Sequence, residues 1–437
     1  MKIIVVGAGI GGLRAASMLS RGGATVSVYE KEPKENLSYD WTDETDRDLF
    51  EKFSLPLPEG SYRGANVAVV APFGKKPLRL PDVPLEKRGW CVERRLLTKE
   101  LIDDAKKNGV AFHFSTAVDS LVFGKDGVSG VRIGADEIPG DLVIDSSGVF
   151  SSFRASLPPC FGVTEKPRAN EVFYVFRGIY APDEKEAESA EFKRKVYLKH
   201  LGEQGISWCM LEANGEVNVL IGRTHKLNDE DIQSGLDDLR KNNPFLTEKL
   251  IRGGRGCAIP IRYCITKAVA PGYAAIGDAA FMTIPLKGSG ISRSLYAADM
   301  LSETVLEAGV SESALWKYQV KYYKRFGAAD AGVDFVKRSL LKFPSKDLRF
   351  LFDSEVISET DVAAISANKD IKITAEYIFD KLKRGSSNIP ALLRASVVLA
   401  GAMRGKAKAE STAKSIPEEF NKEKISAWQT AMDGIFD

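Results

Sequence analysis

Apolar residues run without a break from Ile3 to Val6, the pattern of a strand buried on both faces in a parallel sheet. A helical spacing follows through Leu13, Ala16, Met18 and Leu19, until Gly22-Gly23 stops it. Residues 24–29 then predict a second strand, so the chain opens with a βαβ unit. Residues 171–180 form an aromatic-rich strand, and 194–201 and 206–211 two more. Asn214-Gly215 is a hairpin turn, 216–222 the return strand, and about 229–241 a helix. Residues 40–85 are polar and dotted with proline, an irregular excursion from the first unit. Beyond residue 310 the pattern is helical. Trp316, Val320 and Tyr323 fall at i, i+4, i+7 and share one face, as in a helix docked on a core.

The turn that ends the first strand is Gly7-Ala8-Gly9-Ile10-Gly11-Gly12. Gly7 suits a tight turn, Gly9 a close backbone approach to a pyrophosphate, and Gly12 the packing of helix on strand. The helix N-terminus offers free N–H groups and partial positive charge. Glu30 closes the second strand, where a carboxylate accepts bonds from an adenosine ribose. The unit predicts a bound dinucleotide and leaves NAD and FAD open.

Three later segments bear on that choice. A helix opens at Arg94, which either reaches the phosphates or flavin edge or is simply a solvated helix start. The apolar stretch 141–145 runs into the small-residue turn Ser146-Ser147-Gly148, with Arg154 beyond it. The strand at Tyr273-Ala274-Ala275-Ile276 leads into Gly277-Asp278-Ala279-Ala280. Pro285, Gly288, Gly290 and Ile291 then open a long helix. Asp278 suits a ribityl hydroxyl. The turn at Gly288 aims the next helix N-terminus at a flavin, where its dipole stabilises charge at the N1–C2=O edge. An ordinary helix cap after a buried strand reads the same way in isolation.

Together these segments resemble the FAD-dependent oxidoreductases of the p-hydroxybenzoate hydroxylase fold, and within them the geranylgeranyl reductase family. The resemblance rests on Gly7-x-Gly9-x-x-Gly12, Arg94-x-x-Leu97-x-x-x-Leu101, Ser147-Gly148 with Arg154, and Gly277-Asp278-Ala279-Ala280 followed by Pro285, Gly288 and Gly290. It spans residues 1 to about 310. It implies FAD as cofactor, backbone contacts to the adenine side near Val118, and a sheet roofing the flavin. It also implies hydride transfer from flavin N5 to isoprenoid C=C bonds. The chain departs from aromatic hydroxylases at Ser147, where they carry Asp, and at Phe281, where they carry His. It departs from the reductases' Tyr-x-Trp-x-Phe-Pro motif at residues 206–211, where Trp208 alone is kept.

The expected fold class is α/β: a Rossmann-like FAD-binding domain (1–165 and 256–310), an inserted antiparallel β-sheet substrate domain (166–255) and a helical C-terminal region (311–437). Tyr174, Phe176 and Trp208 either line a hydrophobic substrate tunnel or are plain core. The expected function is a flavoprotein oxidoreductase of lipid biosynthesis. The alternatives are a flavin monooxygenase of an aromatic substrate and a flavin-fold lipid-binding protein without turnover. No catalytic acid or base is assigned, and the electron donor, NAD(P)H or ferredoxin, is left open.

Composition narrows the partners. Lys and Arg total 61 against 59 Asp and Glu, a formal charge of +2 over 437 residues, which gives no global reason to bind nucleic acid. Five scattered cysteines without a CxxC pair and three histidines without a ligand-spaced partner predict no metal site and no disulfide framework. The expected compartment is a reducing cytoplasm. Residues 389–403 are the most apolar part of the tail and are followed by Arg404, Lys406 and Lys408. That pattern fits peripheral contact with an anionic membrane, or a helix docked on the core.

Overall fold

The computed structural model describes residues 1–74, 76–163, 167–168, 170–366 and 374–436. The βαβ opening forms as read: β1 (Lys2–Val6), α1 (Ile10–Arg21) and β2 (Thr25–Tyr29), followed later by α2 (Arg94–Lys107) and β3 (Leu142–Asp145). β1 lies between β2 and β3, parallel to both, with Ile4 opposite Ser27 and Val143. Ala111–His113 extends the sheet beyond β2, and Tyr273–Ala275 with Val269–Ala270 extends it beyond β3. Ile3 to Val6 and Leu142 to Ile144 are all buried, as strands covered on both faces must be. Between Ala111–His113 and β3 the chain inserts a three-stranded antiparallel meander (Ser120–Gly124, Gly127–Ile133, Asp136–Pro139). Its Leu121, Val128 and Val131 join the same core.

The second sheet is the expected antiparallel one, and it is larger. β4 (Val172–Pro182), β5 (Gly205–Leu211), β6 (Val217–Arg223) and β7 (Leu246–Pro260) stand in the order β7-β4-β6-β5. Arg194–Leu198 follows β5, and Ala68–Val70 with Leu78–Arg79 complete the sheet. β7 runs across residues 255 and 256, so the chain leaves this sheet only after Pro260. α3 (Asp229–Asn242) covers one face, over a core that includes Phe176, Cys209, Ile221 and Leu236.

The 40–85 excursion, expected to be irregular, supplies ordered strands. Thr42–Thr45 and Tyr62–Arg63 pair with Trp90–Glu93 in a small sheet, and Ala68–Val70 adds to the roof in parallel with Arg194–Leu198. These strands are two to four residues long and take their register from distant partners. No local periodicity announces them.

α4 (Ile291–Ala308) packs against α1, and α5 (Glu312–Tyr322), α6 (Ala328–Lys342), α7 (Ala375–Arg384), α8 (Ile389–Lys414) and α9 (Lys422–Phe436) build the helical region. Trp316, Val320 and Tyr323 are buried together, and the Trp316 indole donates to the Pro417 carbonyl at 2.8 Å. Among the described residues no helix is long and apolar enough to cross a membrane.

Candidate active site

Backbone builds the first end of the site. Gly7 takes φ +89°, which a side chain would strain. A Cβ on Gly9 would stand 2.6 Å from Ser146 Oγ, and one on Gly12 only 2.7 Å from Ser146 Cβ. The Gly12 N–H donates to Ser146 Oγ at 3.2 Å, so the turn is seated against the end of β3. The N-cap of α1 is Gly9, which has no side chain to satisfy the remaining first-turn amides. The half-buried Glu30 carboxylate accepts the Ala8 N–H at 2.7 Å and the Glu32 N–H at 2.9 Å. The Thr116 N–H donates to the Glu30 carbonyl at 2.8 Å, which brings the segment carrying Val118 alongside.

The second end is locked to the first through buried polar groups. The Asp145 carboxylate accepts the Ser147 N–H (3.0 Å), the Ser147 hydroxyl (2.6 Å), the Ser151 hydroxyl and the Tyr273 phenol (2.6 Å). Arg154 is fully buried; its guanidinium donates to the carbonyls of Ala279 and of Val149 (2.9 Å) and lies 4.9 Å from the Phe281 ring. Arg154 is thus a tie between the turn after β3 and the Gly277–Ala280 turn. Phe281, where hydroxylases carry His, is buried in the core at φ +57°. Gly288 turns at φ +63°, a bridge joins Ile284 to Ser289, and Gly290 opens α4 without a side-chain cap. A Cβ on Gly290 would lie 3.4 Å from Asp278 Oδ1, so the Asp278 carboxylate sits beside the start of α4. Asp278 is crowded by protein yet only half-buried. Burial pushes its carboxyl up to about 6, and Arg94 only partly offsets this.

Arg177, Trp208, Asn218 and Cys257 of the roof sheet meet Tyr39, Trp41 and Asp43 from the segment that forms the small sheet, and Arg94 from the start of α2. Asp43 accepts Arg177 Nη1 at 2.5 Å and Arg94 Nη1 at 3.0 Å. Burial alone would raise its pKa, but the two guanidinium groups hold it below the usual carboxylate range. Arg177 lies 5.3 Å from the Trp41 ring and 5.3 Å from the Trp208 ring, and its Nε donates to Asn218 Oδ1 at 3.2 Å. The Trp208 indole donates to the same Asn218 oxygen at 3.2 Å. Tyr39 stacks on Trp41 at 4.4 Å. Cys257, beside these groups and Asp278, has its thiol pushed up to about 12 by burial, so it keeps its proton at neutral pH.

Gly7, Gly9, Gly12 and Glu30 thus meet at the turn after β1, and Gly277, Asp278, Gly288, Gly290 and Ile291 at the start of α4, with Pro285 buried beside them. Arg94 turns toward the roof and pairs with Asp43. Trp208 lies with Arg177 on the face of the roof sheet opposite α3. Phe176 packs on the opposite face, in the core under α3. Tyr174 stacks on Phe150 with ring centroids 6.2 Å apart. Sequence reasoning missed Tyr39, Trp41, Asp43, Arg177, Asn218 and Cys257. One signal was available: Arg177 is a lone charge inside an apolar strand, and such a charge needs a buried partner.

Residues 5–56 match the NAD(P)-binding Rossmann-like domain. A digeranylgeranylglycerophospholipid reductase of Sulfolobus acidocaldarius is 22% identical over 456 residues, covering 99% of this chain and 96% of the relative. A second, from Methanothermobacter thermautotrophicus, is 26% identical over 394 residues, covering 86% of this chain and 96% of the relative. The chain is a relative of the geranylgeranyl reductases. A geranylgeranyl bacteriochlorophyll reductase-like protein of Thermoplasma acidophilum has the same fold, with a TM-score of 0.70 and 19% identity over 91% of this chain and 98% of that one. Further solved chains of this fold include FAD-dependent enzymes. The reductase relatives match past residue 310 into the helical region, beyond the motifs that carry the resemblance.

Proposed function

We propose that the chain binds FAD and reduces isoprenoid C=C bonds of a lipid substrate. The observation that carries the cofactor reading is the pair of glycine turns, each opening a helix whose N-cap residue is a glycine and each with a carboxylate beside it. The α1 N-terminus and the Gly7–Gly12 turn would hold the pyrophosphate, and Glu30 the adenosine ribose. Asp278 would accept a ribityl hydroxyl, and the start of α4 would face the pyrimidine edge of the flavin. When bound and reduced, FAD supplies a hydride from N5 to one carbon of the double bond, and a proton completes the other. The chain's own part is to orient and to exclude water. Tyr39 and Trp208 would present aromatic surface, backed by the buried Trp41, and the Asp43 pairs keep Arg94 and Arg177 satisfied next to it. The buried Cys257 thiol beside these groups keeps its proton. The lipid class is taken from the near full-length match to reductases of digeranylgeranylglycerophospholipids.

The test is anaerobic. The purified protein is reduced with dithionite and mixed with a geranylgeranyl lipid while the flavin spectrum is followed. Reoxidation with a product heavier by two hydrogens is expected. A flavin that stays reduced until oxygen is admitted would overturn the reductase reading for that lipid and favour a monooxygenase. Running the same cycle with NAD(P)H and with reduced ferredoxin in place of dithionite identifies the donor.

A further inference from the structure

An apolar surface lies outside the candidate active site, on the helical region. Eight of the twenty exposed large apolar side chains among the described residues fall between Ile378 and Met403. On α7 Phe379 is 71% exposed and Leu382 52%; on α8 Leu393 is 63% exposed and Val397 70%. Leu393 and Val397 continue the stripe that starts at Ile389, at i, i+4, i+8. α8 is not a loosely attached helix. Leu392 on its other side is buried with Phe343, Leu348 and Leu351, in a core that also holds Val69 and Ala71 from the edge of the roof sheet. The first half of α8 is therefore apolar nearly all round, and one side has no partner among the described residues. Such a face calls for an apolar environment from outside.

Charge says which one. Residues 375–408 hold seven Lys and Arg and only two acids, Glu376 and Asp380, an excess of +5 in a chain whose total is +2. Some of these cations are spent on internal pairs, as Arg394 is on Asp347 at 2.6 Å. Lys383, Arg404 and Lys408 make no ion pair among the described residues. We propose that the exposed faces of α7 and α8 are a docking surface for an anionic lipid bilayer, which seats the protein without crossing it. Apolar side chains would enter the interface while Lys383, Arg404 and Lys408 meet lipid phosphates. A second copy of the chain is disfavoured as the occupant, because a two-fold contact would set one +5 surface against another. The opposite, buried side of α8 packs through Leu392 in one core with Val69 and Ala71, which ties the docking helix to the large sheet. The surface's use in delivering substrate rests on the lipid-substrate reading; its existence does not.

Flotation with vesicles tests this on the full-length protein. Vesicles of phosphatidylcholine containing about a third phosphatidylglycerol should carry at least about tenfold more protein than phosphatidylcholine alone. The triple variant Phe379→Ser/Leu393→Ser/Val397→Ser should lose about tenfold of that binding. All three positions are exposed, so its thermal midpoint should be unchanged. Should the triple variant misfold, Lys383→Glu/Lys408→Glu should remove the preference for anionic vesicles. No flotation on anionic vesicles, or flotation untouched by both variants, would overturn the surface. So would an apolar-dependent dimer in sedimentation velocity without vesicle binding, which would make a second copy the occupant. Turnover of detergent-dispersed lipid reads the active site separately: its loss in the unaltered protein counts against the reductase reading and leaves the docking result standing.

Discussion

The two sides of the candidate active site are built by different means. The cofactor side is held by backbone: glycine turns seated on Ser146, amides donated to Glu30, and carbonyls gripped by Arg154. The roof is held by side chains brought together from far apart, Asp43 with Arg94 and Arg177, and Arg177 between Trp41 and Trp208. Backbone cradles are set by local conformation and tolerate little change at a few glycines. Side-chain clusters are set by tertiary packing, and their failure spreads through unpaired charges. Damage to the first should remove the cofactor; damage to the second should loosen the fold.

The sharpest break of that contrast is Gly9→Val. Its branched side chain would meet Ser146 within 3 Å and fill the approach to the α1 N-terminus. The flavin-to-protein absorbance ratio should fall to less than about a tenth of the unaltered value, with a folded circular dichroism spectrum. A variant that purifies fully yellow would contradict the cofactor assignment.

The roof is addressed by Asp43→Ala. Two arginines would then lose their shared acceptor in a largely buried place, a loss of about 3–5 kcal/mol by the usual cost of breaking such a pair. Urea unfolding should show it, while the flavin content of protein purified at low temperature should hold. If Asp43→Ala instead strips flavin at unchanged stability, the roof cluster belongs to the cofactor site through Arg94.

This division explains what could be read in advance. Gly7, Gly9, Gly12, Glu30 and Asp278 lie within short stretches whose order, strand then turn then helix, is visible in the local pattern. The parallel sheet, its βαβ start and the aromatic strand at β4 follow from the same periodicities. The roof cluster is not local: Asp43 lies 134 residues from Arg177 and 51 from Arg94. Thr42–Thr45 becomes a strand only because Trp90–Glu93 pairs with it. Tyr174 and Phe176 sit next to Arg177 in sequence, but the pleat of β4 sends Phe176 under α3 and Arg177 to the opposite face. Strand alternation could separate them, but not say which face the cofactor domain covers.

The smallest expected effect is a pH dependence at Asp278. Its carboxyl is raised from 3.8 to about 6, so the folded cofactor-free protein holds that proton more tightly than the unfolded chain does. Its stabilising contribution is therefore present below about pH 4 and lost as pH rises through about 6. Asp330 is raised to about 6 as well, by burial that outweighs Arg293. The difference between the unaltered protein and Asp278→Asn removes that common part. Between pH 4 and 6 the unaltered protein should lose stability relative to the variant, on the order of 1 kcal/mol after allowing for the partial exposure of Asp278. A ribityl hydroxyl donating to the carboxylate would favour its charged form, so FAD should flatten the slope. Parallel pH profiles for the two cofactor-free proteins would show that Asp278 titrates as an ordinary carboxylate. A slope that FAD leaves unchanged would remove Asp278 from the ribityl contact.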